Sequence, residues 1–274
     1  MKYYYPENVS RYQWIETEGE KSCNERHIST DLEKFSSRAF LEEILPRLRF
    51  SVSNPLALEY GCGIGPGACF LARRGFQVDG IDIIPVAIEM AKKLASEQGL
   101  DVHYEVQDIC KLPHTGKKYD IIVDSYCLQG IVTDADRESV FAVVRARLKS
   151  DGYYLVSTAM FDEDRFSAEP IVDKKTGIVY NRYGDDGLIN ARTSIVYEIL
   201  KESPEDYEEA IKIGDTWYLP NRRHLKAPAL KAELESAGFN VLYQSGDYGE
   251  SVICTLKGAA ATLHPVSGGE LCGQ

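Results

Sequence analysis

Long apolar runs are missing from this chain. No stretch approaches the ~20 consecutive apolar residues of a membrane span. The start, Met1–Pro6, holds one lysine and three tyrosines and lacks the apolar segment of a signal peptide, so the expectation is a soluble, cytoplasmic chain with no membrane partner. A basic excess is missing too. Forty-two acidic residues outnumber 31 basic ones, for a net charge of −11. A phosphate backbone needs a basic surface, so nucleic acid is not an expected partner. The seven cysteines (Cys23, Cys62, Cys69, Cys110, Cys127, Cys254 and Cys272) are odd in number and have no C-x-x-C pair, which reads as free thiols in a reducing compartment. The five histidines (His27, His103, His114, His224 and His264) are scattered without ligand spacing, so no metal is expected. What is present is globular: 44% apolar and 27% charged residues over 274 positions, enough for a core without covalent staples.

The periodicity divides the chain into five parts. Residues 1–50 read as an N-terminal arm, polar and aromatic to about residue 28, followed by a helix. Ser29–Thr30–Asp31 offer its N-cap, Phe35, Phe40, Leu41, Ile44 and Leu45 its apolar stripe, and Pro46 its end. Residues 51–160 alternate strand and helix. Strands are expected at Leu56–Tyr60, Phe76–Ile83, Val102–Val106, Asp120–Tyr126 and Tyr153–Met160. The helices between them end at Gly75, at Gly99, and at a basic last turn holding Arg145, Arg147 and Lys149. This is the pattern of a parallel sheet covered on both faces. Residues 161–225 break the pattern and read as an irregular insertion, with one candidate strand face in Ile195, Tyr197 and Ile199. Residues 226–258 resume it with a helix to about Ala237, a Gly238 stop and an antiparallel hairpin, and residues 259–274 read as a frayed tail.

The most informative segment is Glu59–Tyr60–Gly61–Cys62–Gly63–Ile64–Gly65–Pro66–Gly67, which follows a strand and opens a helix. Glycines there let the chain turn tightly and let a ligand touch the main chain. Asp82 follows Gly61 by 21 residues, at the end of the next strand, where a carboxylate can accept from two ribose hydroxyls. A dinucleotide wants G-x-G-x-x-G for its pyrophosphate, but Pro66 occupies the third glycine position and has no N–H to donate. Glu59 would also repel a phosphate. S-adenosylmethionine carries an ammonium and a sulfonium and no phosphate, so the same acid favours it.

Four motifs in order resemble the class I S-adenosylmethionine-dependent methyltransferases: Leu58–Gly65, Val78–Asp82, Gln107–Ile109 and Tyr119–Ser125. Leu234–Phe239 is similar to that family's last helix entering its closing hairpin. The resemblance implies an α/β, Rossmann-like, doubly wound seven-stranded sheet, with an N-terminal helical arm and a lid inserted between strands 5 and 6. It implies S-adenosyl-L-methionine over the carboxyl ends of strands one, two and four. Glu59 would meet the amino-acid end of the cofactor, Gly61 and Gly63 would let the methionine part pass, and Asp82 would hold the ribose. Ile83 would pack on the adenine, Asp108 would accept from its amino group, and Ile109 would lie beside the ring. Asp124 would sit near the methionine end and face the substrate.

The implied chemistry is methyl transfer by in-line displacement, in which the protein positions the reactants and excludes water. After strand four the chain reads Asp124–Ser125–Tyr126–Cys127, without the Asn/Asp-Pro-Pro-aromatic sequence of base-amino methyltransferases. With the net acidity this favours a small-molecule acceptor. The insertion is expected to supply a lid, with Tyr183, Trp217 and Tyr218 as an apolar wall, and Tyr12, Trp14 and Tyr126 are placed to close over a substrate. His27, Tyr126 and His224 are the candidate general bases, His27 and His224 being read as surface side chains. Three alternatives stay open: a protein side chain as acceptor, a non-catalytic S-adenosylmethionine-binding protein, and an NAD-dependent dehydrogenase.

Overall fold

A computed structural model describes residues 2–5, 8, 9, 12, 31–200, 207 and 209–264. Trp14, His27, Cys23 and Cys272 lie outside them. Five short parallel strands form the centre: β1 Leu56–Tyr60, β2 Gln77–Asp82, β3 Val102–Val106, β4 Tyr119–Ser125 and β5 Leu148–Ser157. The closing hairpin, β12 Phe239–Ser245 and β13 Ser251–Leu256, adds to the β5 edge, with β13 antiparallel to β5. The sheet order is β12-β13-β5-β4-β1-β2-β3, the expected seven strands.

Alternation along each strand sends side chains to two covers. On one face Ala57, Ile121, Val123 and Leu155 pack with Leu41 and Ile44 of α1 (Arg38–Ile44), Phe70 and Leu71 of α2 (Pro66–Arg73), and Ile88 and Ala91 of α3 (Pro85–Glu97). On the other, Leu58, Ile122, Tyr154 and Val156 pack with Val140, Phe141 and Val144 of α4 (Asp134–Arg147) and Leu230 and Leu234 of α5 (Ala227–Ser236). Each fully buried Leu or Ile contributes about 1.5–3 kcal/mol, so the two covers fix strand register as well as stability. Local signals set the helix ends. Thr133 caps α4 by accepting from Asp136 N, Asp134 and Asp136 lie in its first turn and Arg145 and Arg147 in its last, and Pro85 opens α3 where a backbone N–H would have no helical partner.

Three expectations are corrected. The helix expected after the Ser29–Asp31 cap begins at Arg38; Ser29 and Thr30 lie outside the described residues, and Asp31 turns its carboxylate to the Glu33 N–H while residues 31–37 form turns. The insertion is more regular than its sequence reads. β6 (Phe166–Val172), β7 (Val179–Tyr183), β8 (Gly187–Asn190), β9 (Ile195–Ile199), β10 (Ile211–Ile213) and β11 (Thr216–Arg223) make a six-stranded antiparallel sheet ordered β10-β11-β9-β8-β7-β6. It is tied back to the main sheet by a parallel bridge between Met160 and Leu225 and by Phe161 N donating to Leu225 O at 3.0 Å. The part of the tail described, residues 259–264, is docked: Tyr153 donates to Thr262 O at 3.1 Å, His264 N donates to Arg47 O at 3.1 Å, and Leu263 packs on the core. No described helix is long and apolar enough to cross a membrane.

Candidate functional site

A cavity of about 560 Å³ opens where β1, β2, β3 and β4 end. Its floor is the bend after β1. Gly61 and Gly63 have φ of +61° and +55°, the left-handed region that glycine enters without strain. A side chain on Gly61 would also run into Cys127, and one on Gly67 into the Glu59 carboxylate. The bend is held by Cys62 N donating to Ile81 O at 3.0 Å and by Gly63 N donating to Asp82 Oδ2 at 2.9 Å.

Glu59 lies beneath the first turn of α2, 1% exposed, and accepts from the Ala68 backbone N–H. Its Oε2 has no partner among the described residues. Burial, with Asp124 and Asp82 nearby, pushes its carboxyl up to about 8. Ala68 N–H and the missing N–H of Pro66 together remove two of the donors with which this helix end would hold a phosphate. Asp82, at the end of β2, is also buried, and its Oδ1 accepts from Ile84 N at 2.9 Å. Burial raises its pKa.

Ile83, Asp108 and Ile109 line the side formed by β2 and β3. Asp108 Oδ1 accepts from Cys110 N at 3.0 Å and Oδ2 from the Tyr4 hydroxyl at 3.0 Å, which brings the N-terminal arm to the rim. Tyr12 of the arm lines the cavity as well, its hydroxyl 2.7 Å from where a Gly63 side chain would start.

Of the eight expected cofactor-contacting residues, Glu59, Gly61, Gly63, Asp82, Ile83, Asp108 and Ile109 converge on this cavity. Asp124 does not. It is 1% exposed and turned under the chain after β4, where Oδ1 accepts from Cys127 N at 2.8 Å and Leu128 N at 3.1 Å. The Tyr60 hydroxyl donates to it as well, and burial pushes its carboxyl up to about 7. Asp124 therefore shapes the loop that lines the cavity. Tyr126 lines it with a φ of +63°, and burial raises its pKa.

His224 is corrected on two counts. It is buried rather than at the surface, and it lies outside the cavity lining, with Nδ1 hydrogen-bonded to the Tyr183 hydroxyl at 3.0 Å. Burial, with Arg165 and Arg222 nearby, pushes its pKa down to about 4. Tyr183, Trp217 and Tyr218 do not line the cavity either; Tyr183 is a core residue of the inserted sheet. Among the described insertion residues, Arg222 alone reaches the lining. Sequence reasoning missed Arg222, Gln129 and Ala159, and no motif marks them. Their place follows from the loop packing after β4 and β5, where Ala159 N donates to Gln129 Oε1 at 2.9 Å.

Residues 57–152 match a family model described as a methyltransferase domain. Over 144 residues, 52% of its length, the chain is 28% identical to a 2-heptyl-1-hydroxyquinolin-4(1H)-one methyltransferase of Mycobacteroides abscessus, of which it covers 63%. Over 107 residues, 37% of its length, it is 36% identical to a ubiquinone biosynthesis O-methyltransferase of Haemophilus ducreyi, of which it covers 44%. The chain thus spans less than two thirds of the length of these curated relatives. The solved structure of an S-adenosylmethionine-dependent methyltransferase from Clostridium acetobutylicum superposes with a TM-score of 0.53 at 16% identity, covering 80% of this chain and 88% of that one. That likeness shows the fold.

Proposed function

We propose that this chain transfers the methyl group of S-adenosylmethionine to a small-molecule acceptor, a reading supported by the match of residues 57–152 to a methyltransferase-domain model and by the seven-stranded sheet shared with a solved methyltransferase structure. The observation that carries the reading is the orphaned Glu59 Oε2, nine-tenths buried in the cavity floor, beside a glycine bend that a side chain would fill. A cationic ligand favours the carboxylate form and gives that oxygen a partner, whereas an anion beside it favours the neutral form. The helix-end donors a dinucleotide would use are occupied by Glu59 or missing at Pro66, which supports the nucleoside reading over a dehydrogenase.

The residues present fit this cofactor. Glu59 and the Gly61–Gly63 bend would take its amino-acid end. Asp82 would hold the ribose hydroxyls with lone pairs left after Gly63 N and Ile84 N, while Ile83 and Ile109 would flank the base and Asp108 would accept from its amino group. When bound, the cofactor supplies a methyl group on a positively charged sulfur, an electrophile open to in-line attack. The chain's own part is positional. The loop that Asp124 holds, with Tyr126, and the Tyr4–Asp108 contact enclose the reactants and exclude water. Tyr126 lines the cavity and His224 does not, so of these two candidate bases only Tyr126 stands at the site, and its raised pKa makes it a poor proton acceptor at neutral pH.

A small-molecule acceptor agrees with the acidity of the chain, and the two named relatives are methyltransferases of a quinolone and of ubiquinone biosynthesis. The inserted sheet is the proposed substrate-facing element, through Arg222. The cytoplasm is the proposed compartment, supported by five free thiols among the described residues. The test is transfer of labelled methyl from S-adenosylmethionine in cell extract, with products split by size. Label in the small-molecule fraction supports the reading. Label confined to protein favours a protein acceptor, and no label from a chain that binds the cofactor favours a binding protein.

A further inference from the structure

The chain after β4 lines the cavity as a short loop, residues 126–131, whose backbone is bound from beneath. It starts under constraint. Tyr126 has a φ of +63°, which costs a non-glycine residue energy and persists only where the surroundings impose it. Asp124 takes the amides of Cys127 and Leu128. Arg137 of α4, 2% exposed, takes two carbonyls, its Nη1 donating to Leu128 O at 2.8 Å and to Ile131 O at 2.9 Å. Glu233 of α5 holds Arg137 in turn, accepting from its Nε at 2.7 Å. Within the loop, Gly130 N donates to Cys127 O and Ile131 N to Leu128 O. An acid on the amides and a cation on the carbonyls leave this backbone little freedom to slide.

Gln129 is the one residue of the loop with an amide side chain, and it lines the cavity. Its orientation is decided by chemistry. Ala159 N, in the chain after β5, reaches it at 2.9 Å. A backbone N–H can only donate, so the atom it meets is Oε1, and the other end of the amide is Nε2 with two N–H groups. None of the described residues accepts from Nε2, and it is not sealed from solvent. A pair of donors thus stands in the cavity wall on a backbone fixed from both sides, the kind of placed polar group that orients a ligand in a small-molecule site. Ile131 and Ala159 make the lining beside it apolar.

We propose that Gln129 is a specificity-determining residue whose Nε2 donates to a carbonyl oxygen of the methyl acceptor, so that the substrate class is largely apolar small molecules bearing a neutral carbonyl. This deepens the methyltransferase reading and rests on it. The donors are uncharged and their neighbours apolar, so a ligand leaves water for this wall at little cost when its one polar atom is matched.

The test compares the parent chain with Gln129→Glu and Gln129→Met. Glutamate keeps an oxygen for Ala159 N and replaces the free donors with a second acceptor; methionine removes both ends at similar length. Each chain is titrated calorimetrically with aromatic ketones, every one paired with the analogue in which a methylene replaces the carbonyl, with and without S-adenosylhomocysteine. The parent should prefer the ketones by roughly three- to tenfold, the scale of one neutral hydrogen bond. Both variants should lose that preference by weakening the ketones alone. Nitrogen-15 spectra of the parent read the same contact without a substitution: the Gln129 side-chain amide should shift with a ketone and stay in place with its methylene analogue. Equal affinity for ketone and analogue in the parent, mutual failure to bind included, overturns the proposal, and so does an unmoved Gln129 amide. A preference kept in Gln129→Glu and lost only in Gln129→Met also overturns it, because the bond to Ala159 and not the free donor would then matter. If no chain binds S-adenosylhomocysteine, the methyltransferase reading fails, while the titrations without nucleoside still decide the role of Gln129.

Discussion

Replacing Asp82 with alanine separates what holds the glycine bend from what holds a ligand. The two carboxylate oxygens accept from Gly63 N and Ile84 N, each at 2.9 Å, and the side chain is 7% exposed. Hydrogen bonds to a charged acceptor contribute about 1.5–3 kcal/mol each. Burial opposes them, since the charge has left water and the carboxyl pKa is raised. The net loss in Asp82→Ala is therefore expected at about 2–4 kcal/mol, below the simple sum. That is a large share of a typical stability of about 5–15 kcal/mol. Urea unfolding at neutral pH without ligand measures it. Calorimetry on the folded variant then reads the second contribution, a drop of roughly ten- to hundredfold in S-adenosylhomocysteine affinity for the lost ribose contacts. A loss of stability below about 0.5 kcal/mol, the scale of an ordinary surface change, would refute the assigned role in the bend. Unchanged affinity in a destabilised variant would refute the ribose role alone.

Three further outcomes are expected. Glu59 is pushed up to about 8 from an ordinary 4.5, so between those values the folded, unliganded chain holds a proton that the unfolded chain has lost. Stability should fall as pH rises through this window, by about 1.4 kcal/mol per unit. Asp124 adds to the decline up to about 7, and His224, pushed down to about 4, opposes it only where the unfolded imidazole is still part-charged, near its ordinary 6.5. Denaturation between pH 6.5 and 8 should show the decline flattened in Glu59→Gln, and an equally steep decline in that variant would sink the assignment. Gly67→Ala should cost about 1–3 kcal/mol, because the new methyl meets the Glu59 carboxylate, and Glu59→Ala in the same chain should recover part of it; strictly additive losses would mean the two do not touch. Tyr183→Phe removes an acceptor for Asp162 N and a partner of His224, each at 3.0 Å, so it should cost about 1–2 kcal/mol in unfolding experiments while leaving S-adenosylhomocysteine affinity unchanged.

The parallel core was legible because its signals are local and redundant. Strands such as Ile121–Ile122–Val123 are apolar on both faces, and each helix carries its own start and stop. That seven of the eight residues expected at the cofactor site line one cavity was legible for the same reason, since strand ends and the bends after them place those residues whatever the rest of the chain does. The place of Asp124 beneath the loop was not legible, because the sequence shows an acid at a strand end but not the Cys127 and Leu128 amides that turn back to claim it. The inserted sheet was hidden by its own construction. β6 is largely exposed and bulged, β10 has three residues, and β11 breaks register at Asn221, so alternation is weak where pairing is strong. His224 was misread because nothing local reveals Tyr183, 41 positions away, as its partner.

The central claim is that this crevice is built for a cationic sulfur nucleoside and against a pyrophosphate. Parallel calorimetric titrations of the intact chain with S-adenosylhomocysteine and with reduced nicotinamide dinucleotide test it most directly. Saturable binding of the first, weakened by Asp82→Ala, with no heat from the second is the predicted result. Saturable binding of the dinucleotide, displaced by inorganic pyrophosphate, would contradict it.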